Sequence, residues 1–248
     1  MKTRMMLCGA LVGLMGCGEI HQVAGPRQSA GDDYPWVGQL QQLVVFEGPM
    51  GEMMEERLAG CTAAVVRHGL ILTAKHCSWA DLITLCGSQP EPWSADVALR
   101  DPIVDPDNDL AFYEYPAAAT EGLFGVPAFE SATGAPDETT ELIHVGFPAT
   151  EQQLVSTGCY ATGVVRVIRK YKDHGPQYFT NCPGHFGHSG GPFVSRSGDD
   201  WTLYGAASYT PTPRKREKYD DEFGPITPLA FSAVYESTLS HNLLVERH

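Results

Sequence analysis

The chain has 248 residues, 43% of them hydrophobic and 19% charged, with a formal net charge of −13. That composition is ordinary for a globular protein, and the length suffices for one large β domain or two small ones. The acidic balance argues against nucleic acid as a partner, because phosphate binding needs a basic patch; solubility is its simpler meaning.

The chain opens on Lys2 and Arg4, followed by an apolar run from Met5 to Met15. The run is too short to cross a bilayer as a mature helix and has the form of an export signal over residues 1–16. It ends in Leu14-Met15-Gly16-Cys17, which resembles the box of bacterial lipoproteins. The resemblance implies cleavage before Cys17, lipidation of that cysteine, and anchoring on a membrane surface of the bacterial cell envelope without spanning it. A plain secretory signal would leave the protein secreted instead. Residues 17–33 are polar with scattered glycine and proline and read as a tether.

Folding is expected from Tyr34-Pro35-Trp36-Val37 onward. Short apolar runs split by turn residues predict strands at Leu40–Phe46, Thr62–Val66, Leu70–Thr73, Leu110–Tyr115, Glu141–Val145, Val164–Ile168, Tyr178–Thr180 and Leu203–Ala207. Leu82–Cys86 is a further strand-like run. His68-Gly69, Asp173-His174-Gly175 and Ser197-Gly198-Asp199 read as turns between paired strands. Ala117 to Pro136, rich in Ala, Gly and Pro, reads as the connector between two halves. Phe231, Val234, Tyr235, Leu239 and Leu243 recur at helical spacing and predict a helix over Phe231–Val245. Many strands, one helix and a mid-chain connector predict an all-β fold of two packed antiparallel barrels, over 34–125 and 126–248.

Of seven cysteines, Cys8 falls in the signal and Cys17 is the candidate for lipidation. Cys61, Cys77, Cys86, Cys159 and Cys182 remain, and export implies an oxidising compartment in which pairing leaves one over. There is no Cys-x-x-Cys or His-Glu-x-x-His pattern. No metal site and no cofactor are expected.

Three segments carry chemistry: Leu72-Thr73-Ala74-Lys75-His76-Cys77, Asp107-Asn108-Asp109-Leu110, and Gly187-His188-Ser189-Gly190-Gly191-Pro192. Taken singly, each has an ordinary structural explanation. Ser-Gly-Gly turns are common in β proteins, a histidine beside a cysteine is often structural, and Asp109 could cap a strand. Together they supply what an activated serine needs: a nucleophile, a base to take its proton, and a carboxylate to orient the base. Imidazole suits the base because it ordinarily titrates near ~6.5. Backbone N–H groups of a glycine turn suit an oxyanion hole, with Gly187 and Ser189 as donors.

These motifs resemble trypsin-like serine proteases of the chymotrypsin fold, particularly the bacterial branch that includes V8-type glutamyl endopeptidases. Leu72–Cys77 is similar to the family's histidine motif, Asp109-Leu110-Ala111 to its aspartate motif, and Gly187–Pro192 to its serine motif. Gly146-Phe147-Pro148 is similar to a Gly-aromatic-Pro turn of the V8-type branch. The resemblance implies two six-stranded barrels, a His76–Asp109–Ser189 triad, and disulfides Cys61–Cys77 and Cys159–Cys182. Cys86 is then left over as a buried thiol. It also places Pro183, six residues before the serine, at the floor of the specificity pocket. Ser208 would brace Asp109, and the backbone of Ser208, Tyr209 and Thr210 would pair with an extended substrate.

The chain departs from trypsin at instructive places. His188 stands where trypsin has an aspartate, and no Ile-Val-Gly-Gly terminus precedes Tyr34. Both halves of trypsin's activation salt bridge are therefore missing, which implies no trypsin-style zymogen cleavage. His188, His185 and His174 share no carboxylate or cysteine at ligand spacing, so a metal cluster is not expected. Pro183 gives no acid for a Lys or Arg preference, and Ala207 stands where glutamyl enzymes carry histidine; a small apolar residue is the expected preference. The charged stretch Arg214-Lys215-Arg216-Glu217-Lys218, followed by Asp220-Asp221-Glu222, reads as a solvated loop.

The expected function is a secreted or lipid-anchored serine endopeptidase, monomeric, acting on polypeptides. The alternative is a catalytically inactive protease fold used for binding. An esterase of the nucleophile-elbow type would order its residues Ser, acid, His, unlike this chain.

Overall fold

The computed structural model describes residues 27–30, 34–87, 93–148, 153–169, 172–209, 220–221, 224–225 and 227–244. The export signal, Cys17, Thr210 and the Arg214–Lys218 stretch lie outside the described residues.

A short strand β1 (Arg27–Ala30) comes first. Seven strands then form one curled antiparallel sheet: β2 (Val37–Glu47), β3 (Met53–Arg67), β4 (Leu70–Thr73), β5 (Leu82–Gly87), β6 (Trp93–Ala98), β7 (Ile103–Val104) and β8 (Ala111–Glu114). Their order is β6-β5-β2-β3-β4-β8-β7. β4 lies between β3 and β8, which is why Leu70-Ile71-Leu72-Thr73 is buried on both faces.

The second sheet is built from β9 (Phe129–Ser131), β10 (Leu142–Gly146), β11 (Leu154–Cys159), β12 (Ala161–Arg169), β13 (Lys172–Gly184), β14 (Pro192–Ser197) and β15 (Asp200–Tyr209). After a small ribbon of β16 (Asp220–Asp221) and β17 (Gly224–Pro225), it is completed by β18 (Thr227–Ala233). Its order is β1-β11-β10-β14-β15-β18-β13-β12, and β9 joins β15 in parallel. A helix α1 (Thr238–Leu244) closes the described chain. The architecture is the chymotrypsin-like double β-barrel with a C-terminal helix. The sheets hold seven and nine strands among the described residues, because short edge pairings extend each barrel.

One apolar core runs through both barrels. Leu40, Ile71, Leu72, Ile83 and Phe112 of the first meet Val145, Phe147, Val194 and Leu203 of the second. Fully burying each such side chain contributes roughly 1.5–3 kcal/mol. The barrels also meet through aromatic edges: Trp36 lies with ring centroids 5.0 Å from Phe129 and 6.0 Å from Trp201, both T-shaped. A smaller cluster of Leu142, Phe193, Leu229 and Phe231 surrounds the Cys159–Cys182 bond.

Three expectations need correction. Residues 27–30 belong to the fold rather than to a tether: β1 pairs antiparallel with Leu154–Thr157 of β11 and satisfies a sheet edge that would otherwise expose unpaired backbone groups. Asp173-His174-Gly175 is not a turn but part of β13, where the register shifts between Arg166 and Ile168 of β12 and Gly175 takes a φ of 71°. Phe231–Ala233 is strand rather than helix. β18 lies between β15 and β13 and is buried from Leu229 through Ala233 on both faces, so it presents a largely apolar run interrupted only by Ser232. Such a run cannot be told from a buried helix by periodicity.

Candidate active site

The strand β4 delivers His76. Ala74 is still extended, and Lys75–Cys77 then form a single 3-10 turn at its end. The Cys61–Cys77 disulfide ties that turn to β3. Asp109 comes from the loop between β7 and β8, organised by the buried carboxylate of Asp105. Its Oδ1 accepts from the N–H groups of Asp107 and Asn108, both at 2.8 Å, and its Oδ2 accepts from Ser237 Oγ. Lys75 Nζ reaches across to donate to the carbonyls of Asp105 at 2.5 Å and Pro106 at 3.2 Å.

These constraints set Asp109 against the histidine. His76 Nδ1 lies 2.8 Å from Asp109 Oδ2, and the His76 N–H donates to Oδ1 at 3.0 Å. Ser208 Oγ, on β15 of the other barrel, donates to Oδ2 at 2.5 Å. The Asp109 side chain is 3% exposed and that of His76 40%. Burial pushes the Asp109 carboxyl up, but the hydrogen bonds and charge of His76, with Ser208, outweigh it and hold the carboxyl below its ordinary range. A carboxylate bonded to Nδ1–H fixes the tautomer that leaves Nε2 as the basic nitrogen.

Ser189 stands in the loop from β13 to β14. Gly187 has a φ of 101° and Gly190 a φ of 86°, backbone that L side chains rarely adopt. At Gly190 there is also no room: a Cβ would lie 2.1 Å from both Thr62 O and Thr73 Oγ. The loop therefore presses directly on the strands that carry the histidine. The Thr62 N–H donates to Ser189 O at 2.7 Å, and Cys77 Sγ lies 3.8 Å from the same oxygen. Gly190 N donates to Ala207 O at 2.6 Å and Ala207 N to Gly191 O at 2.8 Å, which docks the loop on β15. So Ser189 is held beside Cys77, the neighbour of His76, and beside Ala207, the neighbour of Ser208.

The trypsin-like peptidase domain matches residues 61–200, a span that holds His76, Asp109 and Ser189. The chain belongs to that family. No curated protein matches it. Among solved structures it is similar to the HtrA-type protease AlgW with a decapeptide, at 19% identity and a TM-score of 0.56 over 86% of this chain and 64% of that one. A variant of AlgW with the decapeptide gives 14% identity, the same TM-score of 0.56, and 86% and 65% coverage. The chain thus spans under two thirds of those proteins. A thermostable serine protease, AL20, from an extremophilic microorganism gives 16% identity and a TM-score of 0.51 over 88% of this chain and all of that one. At such identities the likeness speaks for the fold.

Within this trypsin-like domain the two expected disulfides form, and Cys86 stays outside both, half-buried on β5 rather than fully buried. Cys61, His76 and Cys77 bring three ligand-type atoms within 4.8 Å of one another, but both sulfurs belong to the disulfide. Pro183 lies near the end of β13, half-buried and in register with Pro228. Tyr209 ends β15 opposite Ala230 of β18. The pairing of β14 with β15 stops at Ala206, so beyond the Gly190–Gly191 contacts with Ala207 the backbone of Ser208 and Tyr209 is flanked, among the described residues, by β18 alone.

Several contributors carry no sequence motif. His188 does not line the surface; it is fully buried, with its ring 4.9 Å from that of His144 and 5.2 Å from that of His185. Burial pushes His144 down to about 3, and burial together with His144 and His185 pushes His188 well below the ordinary histidine range. Both are therefore neutral at pH 7. Lone buried histidines have no spacing to betray them. Asp105 could have been found, since an Asp bonding the backbone two and three residues on is an Asx turn, and Asp105-Pro106-Asp107-Asn108 has that composition.

Proposed function

We propose that this trypsin-like domain is a serine endopeptidase with Ser189 as nucleophile, His76 as general base and Asp109 as the carboxylate that orients it. The observation that carries the reading is the buried Asp109 carboxylate, bonded at once to the Nδ1 and N–H of His76 and to Ser208. In this reading Ser189 Oγ attacks the scissile carbonyl and its proton passes to His76 Nε2. Asp109 stabilises the imidazolium, which then gives the proton to the leaving amine. Water attacks the acyl-enzyme by the same route. The N–H groups of Gly187 and Ser189 receive the oxyanion, each worth about 2.7–4 kcal/mol of transition-state stabilisation.

The substrate is a polypeptide. AlgW, similar in fold, was solved with a decapeptide, and the Ser208–Tyr209 backbone, flanked on one side only among the described residues, suits an extended chain added as a strand. With Pro183 in place of an acid, the domain prefers a small apolar residue before the cleaved bond. Lacking an aspartate at His188, it needs no trypsin-style terminal cleavage. It acts as a monomer of the V8-like branch, exported and either secreted or lipid-anchored through Cys17.

Labelling with a fluorophosphonate probe tests the chemistry. Wild-type protein is expected to label, and Ser189→Ala and His76→Ala are not. Folded wild type that does not label would instead mean a protease fold used for binding.

A further inference from the structure

Thr62 sits directly after the disulfide cysteine Cys61, is fully buried, and uses every polar group it has. Its N–H donates to Ser189 O at 2.7 Å. Its carbonyl accepts from Thr73 Oγ at 2.8 Å. Its hydroxyl donates to Gly187 O at 2.8 Å and accepts from the Phe147 N–H at 2.8 Å. One residue therefore joins the serine loop, the histidine-bearing strand β4 and the Gly146-Phe147-Pro148 turn, and its hydroxyl alone bridges the loop to the turn.

From this we infer that Thr62 is a positioning residue for the oxyanion hole. The inference rests on the reading of Ser189 as nucleophile with Gly187 and Ser189 as donors. The peptide from Gly187 to His188 lies between those two N–H groups. Each peptide is a rigid plane, so the direction of this middle one decides whether the N–H groups on either side converge. Gly187, at a φ of 101°, imposes little of its own. Thr62 supplies the constraint. A hydroxyl has one proton to give, and because the Phe147 N–H can only donate, that proton is committed to Gly187 O. The β-branched side chain is stiff at χ1 and holds the oxygen in place. At the other end of the same peptide the His188 N–H donates to His185 O at 3.2 Å, so the plane is gripped at both edges. The Gly-Phe-Pro turn thereby gains a role: its Phe147 N–H sets the polarity of the hydroxyl.

The test compares Thr62→Val, which keeps the shape and loses the hydroxyl, with Thr62→Ser, which keeps the hydroxyl. Removing an oxyanion donor outright costs about 100- to 1,000-fold in kcat, and losing its alignment should cost about 10- to 100-fold. Thr62→Val is expected to lose that factor in kcat, with KM within about twofold and the pH profile unmoved. A peptidyl trifluoromethyl ketone, whose adduct carries the oxyanion, should bind Thr62→Val weaker by the same factor, while a product peptide binds as to wild type. Thr62→Ser should return to within about threefold of wild type. Thr73→Val breaks a different bond of the same residue; it should lower Tm and leave the ratio of ketone to product affinity alone. If Thr62→Val does not fold, Thr62→Ala carries the same measurement. Wild-type kcat in the hydroxyl-less variant, equal losses of ketone and product affinity, or no recovery in Thr62→Ser would overturn the inference. A wild type with no turnover would instead overturn the serine reading itself.

Discussion

Around His76 and Asp109 both carboxylate oxygens take hydrogen bonds, Oδ2 from two donors at once. Asp109 is bonded by His76 and Ser208, the loop behind it is pinned by Asp105, and Asn108 Nδ2 adds a bond to Glu236 O at 3.3 Å. The Ser189 loop rests on a different foundation. Beneath it lie His188 and His144, buried among Phe193 and the second barrel, and neither ring nitrogen of His188 has a hydrogen-bond partner among the described residues. One half of the site is fixed by charge and hydrogen bonds; the other adds to its neutral hydrogen bonds from Thr62 and Ala207 a bed of packed, uncharged imidazoles. A network of charges fails when a partner is removed; a bed of buried histidines fails when protons arrive.

Breaking the charged half and the nucleophile separately should show their different weights. Ser189→Ala is expected to lower kcat by more than about 10⁴-fold, and adding His76→Ala to it should cost little more, because triad members act as a unit. Asp109→Asn should fold normally and lose about 10⁴-fold in kcat, since the amide favours the wrong histidine tautomer. Steady-state kinetics on a peptide library hit would measure both.

Acid sharpens the contrast. His144 is held at about 3 against an ordinary 6.5. Unfolded histidine therefore takes up a proton that the folded residue refuses, and stability present above ~6.5 is lost as pH falls from there toward about 3. The slope is up to ~1.4 kcal/mol per pH unit for each such histidine. Asp109 works in a lower window: its carboxyl is depressed, so its contribution is present above the usual carboxylate range and disappears as pH falls through its folded value. Thermal melts across mildly acidic pH should fall steadily in wild type and less steeply in His144→Gln, which keeps His188. An equal slope in that variant would place the acid sensitivity elsewhere. The smallest effect belongs to Ser208→Ala. It removes one of several bonds to Asp109 and should cost about 1 kcal/mol, seen as a three- to tenfold drop in kcat/KM.

Much of this was legible in the chain. Strand β4 was read with its observed bounds because it is short, apolar and closed by His68-Gly69. The barrels followed from strand density, and the histidine, aspartate and serine segments from their glycine, cysteine and carboxylate neighbours. What stayed hidden has physical reasons. β6, with alternating exposed Ser94, Asp96 and Ala98, is too polar on its outer face to read as strand. β1 exists only because β11 offers an edge far away in sequence. His144 and Thr62 gain meaning from partners 44 and 125 positions distant, which no local pattern announces.

The aromatic contact between the barrels has a spectroscopic consequence. Trp36 enters from the first barrel and Trp201 from β15 of the second, and their rings cross at 78° with centroids 6.0 Å apart. Two indoles so close and so inclined couple their electronic transitions and give a near-ultraviolet dichroism that neither would give alone. The band reports the docking of one barrel on the other. If it fades on heating before the far-ultraviolet strand signal does, the barrels part company while each is still folded.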